Sequence, residues 1–300
     1  MPIRKLFHFM HLVDDFDATS DRYDAVFAPH IYMAKSWSDF DKRWASLAVV
    51  GPDFVLEIME PSKDPADGNA PLPKFHNRHG DHLHSFAWFV DADDHKALAH
   101  NMIDAGIRVL TPYGSLDGED GKPGASTFFT HPKDTFGQLE FQSWTAGAGG
   151  GPHTSPDWSA DFWADEHPLG LTGMSHLTTV VSDLDRAQAF YENLLGAPAF
   201  FEETTKDRKS LYALVGDDTV VEIATPTDDD SALAADLREH GELPVAMAFK
   251  VKDHDAARRH IESTGIAFED DGETITLDRT AMHNAPLAFT TRQLPGDPRG

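Results

Sequence analysis

The sequence predicts an α+β fold of two tandem halves, each divided into quarters that run strand, helix, then about three strands. Three observations carry this. The opening is repeated: from His8 an Asp follows by seven (Asp15), a second by nine (Asp17) and a Tyr by fifteen (Tyr23), and from His176 the same spacings give Asp183, Asp185 and Tyr191. The two copies stand 168 residues apart (176−8), the mark of an internal repeat. One helix precedes each group of strands, which favours helices on one face of a sheet over a doubly wound parallel sheet.

The elements follow in order. His8 opens a strand, a turn and a helix. A strand rich in apolar residues runs from Phe54 through Glu57 and is closed by Pro61. The polar stretch from Pro61 to His82 is expected to be a lid over a site. His84 opens another strand, which enters a helix of roughly 94–105 that stops near Gly106. Strands at 126–130 and 137–142 close the first half. Residues 145–172 carry an Ala/Gly run and then Trp158 and Trp163, the pattern of a linker packed on a domain. In the second half the Glu222 strand, closed by Pro226, matches the Glu57 strand. The strand from Val245 leads to a helix ending at Gly265, and the strand through Ala288 matches that through Glu140. The expected division is a metal-binding domain at 1–145, a linker at 146–172, a second domain at 173–292 and a tail at 293–300.

Composition bounds the function. Three hundred residues can bury sizeable cores. With 25 Lys+Arg against 50 Asp+Glu, the formal charge of −25 repels nucleic acid and anionic membrane. No apolar run approaches the roughly 18 residues of a membrane span, and no signal-peptide core is present at the amino terminus. The absence of cysteine removes disulfides and thiolate chemistry and suits a cytoplasmic protein.

Aligning the quarters on the seven-residue spacing sets His8, His84, His176 and Ala246 at one position, followed by Asp15, Asp91, Asp183 and Asp253. The last strands carry Glu57, Glu140, Glu222 and Ala288 at their shared position. The first half therefore holds two His and two Glu, while the second holds one of each and two alanines. Two imidazoles and two carboxylates suit one divalent ion, with Zn²⁺, Ni²⁺, Co²⁺, Mn²⁺ and Fe²⁺ all compatible, and leave positions open for substrate. The predicted ligands are His8, His84, Glu140 and Glu57, with Glu140 or Glu57 as proton-moving base. Strand alternation from these residues points Met10, Leu12, Met59, Phe86, Trp88 and Gln138 into the same space, together with Val55 and Gln142. That wall favours an apolar or aromatic substrate.

The stretch from His176 to Gly196 resembles the vicinal oxygen chelate superfamily, which includes glyoxalase I, methylmalonyl-CoA epimerase, extradiol dioxygenases and the bleomycin and fosfomycin resistance proteins. The stretch from Thr130 to Phe141 resembles the closing segment of the epimerases. The resemblance implies four βαβββ modules paired into two cup-shaped, partly open barrels. It matches His8, Glu57, His84 and Glu140 to the four metal positions of glyoxalase I, and leaves the second cup degenerate. Where ring-cleaving relatives carry a catalytic Tyr, this chain has Thr130. The implied activity is that of a metal-dependent lyase or isomerase acting by proton transfer. A ring-cleaving dioxygenase and a small-molecule binding or resistance protein are the alternatives. The expected partner is a small-molecule substrate, with no nucleic acid and no membrane, and with a homodimer left open.

Overall fold

The computed structural model describes residues 2–52, 54–118, 124–144 and 159–300. In the first half, β1 (Ile3–Leu12), α1 (Phe16–Phe27), β2 (His30–Ser38), β3 (Arg43–Val49) and β4 (Val55–Pro61) form one module. After α2 (Pro71–His79), a second is formed by β5 (His82–Asp91), α3 (Ala92–Asp104), β6 (Val109–Leu110), β7 (Thr127–Thr130) and β8 (Gln138–Trp144). The second half repeats this with β9 (Leu171–Val180), α4 (Leu184–Asn193), β10 (Ala199–Thr204), β11 (Arg208–Val215) and β12 (Thr219–Pro226). Then come α5 (Ala232–His240), β13 (Pro244–Val251), α6 (His254–Thr264), β14 (Phe268–Asp270), β15 (Thr274–Leu277) and β16 (Leu287–Thr290). The two eight-stranded sheets have matching orders, β2-β3-β4-β1-β5-β8-β7-β6 and β10-β11-β12-β9-β13-β16-β15-β14. Four βαβββ modules are thus paired into two open, curled sheets, as the sequence predicts. No described helix is long and apolar enough to cross a membrane.

The Asp that recurs seven residues after each lead position has a local cause. Asp15, Asp183 and Asp253 are helix N-caps whose carboxylates accept the N–H of Ala18, Arg186 and Ala256. Asp91 begins α3 without a side-chain cap and instead accepts Arg4 Nε at 2.9 Å. The segment from Pro61 to His82, expected as a lid, contains a helix whose Pro71 and Leu72 line the cavity of the first half. Pro71, at the first helical position, starts α2, and Gly80, at φ +68°, ends it. Of the two Trp residues in the segment read as a linker, Trp163 is buried, whereas Trp158 lies outside the described residues. The C-terminal residues pack on the second sheet. Arg299 donates to the carbonyls of Met174, Ser175 and Asp218, and Asp297 binds Lys250 and Arg299.

One face of each sheet enters a core shared by both halves, where Phe9, Phe27, Phe54, Trp88, Phe249 and Phe289 are all buried. Polar bonds stitch the seam. Trp88 Nε1 donates to Thr219 Oγ1 at 3.2 Å, and His167 and His260 bind the carbonyls of Phe27 and Val26. His11 lies 2.8 Å from the carbonyl of His283, so Nε2 must donate, and Nδ1 then accepts from Tyr23 at 3.0 Å. Burial drives the pKa of His11 down to about 4, overcoming the opposite pull of the His283 carbonyl and Asp81.

This fixes a pH response. Unfolded chains bind the His11 proton near 6.5, whereas the folded chain refuses it down to about 4. Stability from this group is therefore complete above 6.5 and is lost as pH falls toward 4, a loss of roughly 3 kcal/mol. Urea unfolding at pH 7 and 4.5 should show a markedly smaller acid-induced loss in a His11→Gln variant than in the wild type. Equal losses would show that His11 is not a source of acid sensitivity.

Candidate metal and substrate site in the first cup

Four neighbouring strands, β4-β1-β5-β8, each present one predicted ligand on the concave face. They are Glu57, His8, His84 and Glu140, all buried. His8 Nε2 stands 3.4 Å from Glu57 Oε2 and 3.5 Å from Glu140 Oε2. Neither ring nitrogen of His8 makes a hydrogen bond. Such an imidazole is an anomaly in a folded protein unless a further group uses its lone pair. Burial opposes protonation of His8, but Glu140 and then Glu57 outweigh it and hold its pKa above the ordinary value. Two carboxylates turned toward one imidazole create a position attractive to any cation.

His84 reaches the cup through a β-bulge. Ser85 pairs with Met10 and Leu83 with His11, so β5 contributes two residues where β1 contributes one. His84 and Ser85 therefore share a side, and His84 Nδ1 bonds Ser85 Oγ at 2.7 Å, leaving Nε2 for another partner. Burial first, then Arg43, push the His84 pKa down to about 3, so it stays neutral, the form that can ligate a metal. The residues thus fit a divalent ion. Among the described residues no three of these four donors lie within 4.8 Å of one another, so side-chain rotation would have to bring them onto it.

The same bulge corrects part of the predicted wall. Beyond it the alternation of β5 is inverted, and Phe86 and Trp88 point into the shared core, stacked with Phe9 and Phe141, rather than into the cup. Leu12 is buried with Met10, Met59 and Ala87 beneath the wall but does not line the cavity, nor do Val55 and Gln142. Met10, Met59 and Gln138 do line it. The cavity measures about 750 Å³ and is lined further by Met33, Phe40, Leu72, Tyr113 and Phe129. The aromatic character expected of the substrate wall is present but comes from Phe7 on β1, from loops and from β7, not from β5.

Sequence reasoning missed Arg43, which donates from Nη1 to Glu57 Oε1 at 2.5 Å. The repeat held the signal. Arg43 precedes Glu57 by 14 (57−43), and Arg208 precedes Glu222 by 14 (222−208). Asp41 and Tyr113 extend the polar rim, with the Tyr113 hydroxyl 3.3 Å from Asp41. Arg43 fixes one oxygen of Glu57 and leaves Oε2 facing His8, the arrangement of a ligand oriented from behind. Apart from His8, no described donor orients Glu140. Thr130 bonds Thr135 at 2.6 Å and accepts the N–H of Leu139, which pins the β7–β8 turn away from the cup.

The second cup is built differently. Glu222 accepts from Thr178 at 2.6 Å, Ser210 at 2.7 Å and Tyr212 at 3.2 Å, with Arg208 and His176 at 3.6 Å. Burial raises its pKa, but His176 and Arg208, with these hydroxyls, hold it below the usual carboxylate range. The register pairs Ala246 with Thr178, as Ser85 pairs with Met10, so the bulged residue equivalent to His84 is Val245. Ala288 pairs with Ala248 as Glu140 pairs with Ala87. This cup, of about 320 Å³, is lined by one imidazole, His176, and at the position equivalent to Glu57 by the saturated Glu222, with Glu203, Asp207 and Asp271 farther round its wall.

Comparison with known proteins accords with this architecture. The family model described as the Glyoxalase/Bleomycin resistance protein/Dioxygenase superfamily matches residues 173–299. No curated protein matches the chain. A triple variant of 4-hydroxymandelate synthase from Streptomyces coelicolor superposes on 98% of this chain and 95% of its own, with a TM-score of 0.71 and 14% identity, a likeness of fold. Methylmalonyl-CoA epimerase from Mycobacterium tuberculosis covers 40% of this chain and 87% of its own, at 22% identity and a TM-score of 0.38.

Proposed function

We propose, from the premise that residues 173–299 belong to the glyoxalase/bleomycin resistance protein/dioxygenase superfamily and that the first half repeats their modules, that the first cup is a metal-dependent lyase or isomerase site. The observation that carries it is His8, buried with neither ring nitrogen hydrogen-bonded and with Nε2 facing the carboxylates of Glu57 and Glu140 in the wall of a large cavity. His8, His84 and Glu57 would hold one divalent ion, and Arg43 would fix Glu57. A bound divalent ion supplies Lewis acidity toward a substrate oxygen and lowers the cost of removing a neighbouring proton. Glu140, the carboxylate without an orienting donor, takes that proton from carbon and returns it elsewhere on the substrate. The Met, Phe and Tyr side chains that line the cavity favour an apolar or aromatic body bearing adjacent oxygens.

A second reading has its own observation. Two imidazoles and one oriented carboxylate also match the facial set of non-haem iron oxygenases. The two separate in one experiment. The purified chain is analysed for metals, and oxygen-chelating aromatic and aliphatic acids are screened in deuterated water, in air and without oxygen. Turnover unchanged under anaerobiosis, with deuterium in product or recovered substrate, is expected. Turnover that vanishes without oxygen and returns with air would establish the oxygenase instead.

A further inference from the structure

The two inserted helices are equivalents in the repeat, since α2 joins β4 to β5 and α5 joins β12 to β13. Both end on a histidine followed by a left-handed glycine, His79–Gly80 and His240–Gly241, with φ +68° and +82°. The fold brings these ends together at the seam between the halves, with His79 Nδ1 3.3 Å from His240 Nδ1. Two imidazole nitrogens this close share either a proton or a cation. Around a tetrahedral ion with metal–nitrogen bonds of about 2.0–2.1 Å, nitrogens are separated by about 3.3 Å.

Two further side chains complete the cluster. His82, on β5, has no exposed surface, and its Nδ1 lies 2.7 Å from the carbonyl of Leu83, so Nδ1 carries the proton. Its Nε2 is then a bare lone pair, buried and without a hydrogen-bond partner. Its ring stands 4.7 Å from that of His240. The ligand atoms of His82, Asp236 and His240 all lie within 4.8 Å of one another, the one such group among the described residues; His79 stands outside that group, 3.3 Å from His240, and would turn inward to become the fourth donor. Asp236 is buried, and Arg279 binds both of its oxygens at 2.6 Å, Nη1 to Oδ2 and Nη2 to Oδ1, so an ion would share this carboxylate with the guanidinium.

We infer that His79, His82, His240 and Asp236 form a structural zinc site that ties the two halves together, distinct from the cup. Four protein donors leave no open position, which marks a structural rather than a catalytic centre. The site also braces the cavity. Phe75 packs against both His79 and His84, with ring centroids 4.4 and 4.6 Å away, and Leu72 on the same helix lines the cavity. The chain would then bind two ions where the sequence alone predicts one.

The test titrates metal-free full-length chain with Zn²⁺ alone, by calorimetry and thermal unfolding. Wild type should bind two equivalents, and His240→Ala and His8→Ala one each. Zinc should raise the melting temperature of His8→Ala by several degrees through the seam site, and a His8→Ala/His240→Ala double variant should show no such rise. Full stoichiometry in His240→Ala would overturn the seam site, whereas full stoichiometry in His8→Ala would overturn the cup reading, so the two failures are distinct. Should His240→Ala not fold, Co²⁺ added to His8→Ala decides: intense visible absorption of four-coordinate cobalt is expected, and the weak absorption of six-coordinate cobalt overturns the site.

Discussion

Glu140→Gln is expected to lower turnover by about 10²–10⁴-fold, the usual contribution of a positioned general base, while the cup keeps its ion. The amide preserves the shape of the side chain and removes only the basic oxygen. The metal persists because His8, His84 and Glu57 remain, and Arg43 still holds Glu57 from behind at 2.5 Å. Glu57→Gln should behave in the opposite way. It removes the anionic partner of Arg43 and leaves that cation buried beside His8, so metal affinity should fall first and activity with it. Metal content and turnover measured together on both variants decide the matter. Loss of the ion from Glu140→Gln with retention in Glu57→Gln would exchange the two roles.

Much of this was legible in the sequence because a tandem repeat turns single residues into comparisons. The seven-residue spacing fixed the helix starts, since an Asp at that distance is an N-cap in three modules. It placed the four predicted ligands on adjacent strands. The limits were equally physical. Period-two alternation assumes a regular strand, and the bulge at His84 inverts it. Phe86 and Trp88 were therefore expected in the cup but lie in the core. Arg43 escaped because it was sought neither as a metal ligand nor as a base. The Pro61 to His82 stretch concealed a helix because its residues are largely polar and only Pro73 of α2 is buried. His79 and His82 acquire meaning only when the fold carries His240 and Asp236 to them across more than 150 residues, as the separation of 161 between His79 and His240 records. Such long-range meetings leave no local pattern.

The same substitution at equivalent positions of the two cups is expected to give opposite results. His8→Ala should abolish metal binding in the first cup and lower turnover at least about 10³-fold, because the ion and the polarisation it supplies are lost together. It should also destabilise the metal-free chain by about 3 kcal/mol, since Glu57 and Glu140 then face each other without the imidazole between them. His176→Ala should leave turnover within a few-fold of wild type. Glu222 keeps Thr178, Ser210, Tyr212 and Arg208 as partners when His176 is removed, so no buried charge is stranded. Ala246, Val245 and Ala288 offer no donor that the loss could disable. Steady-state rates, metal content and urea unfolding on the two variants provide the check. A loss of several orders of magnitude in His176→Ala would mean that the second cup is a working site, one that uses a saturated carboxylate and a single imidazole for chemistry other than that of the first.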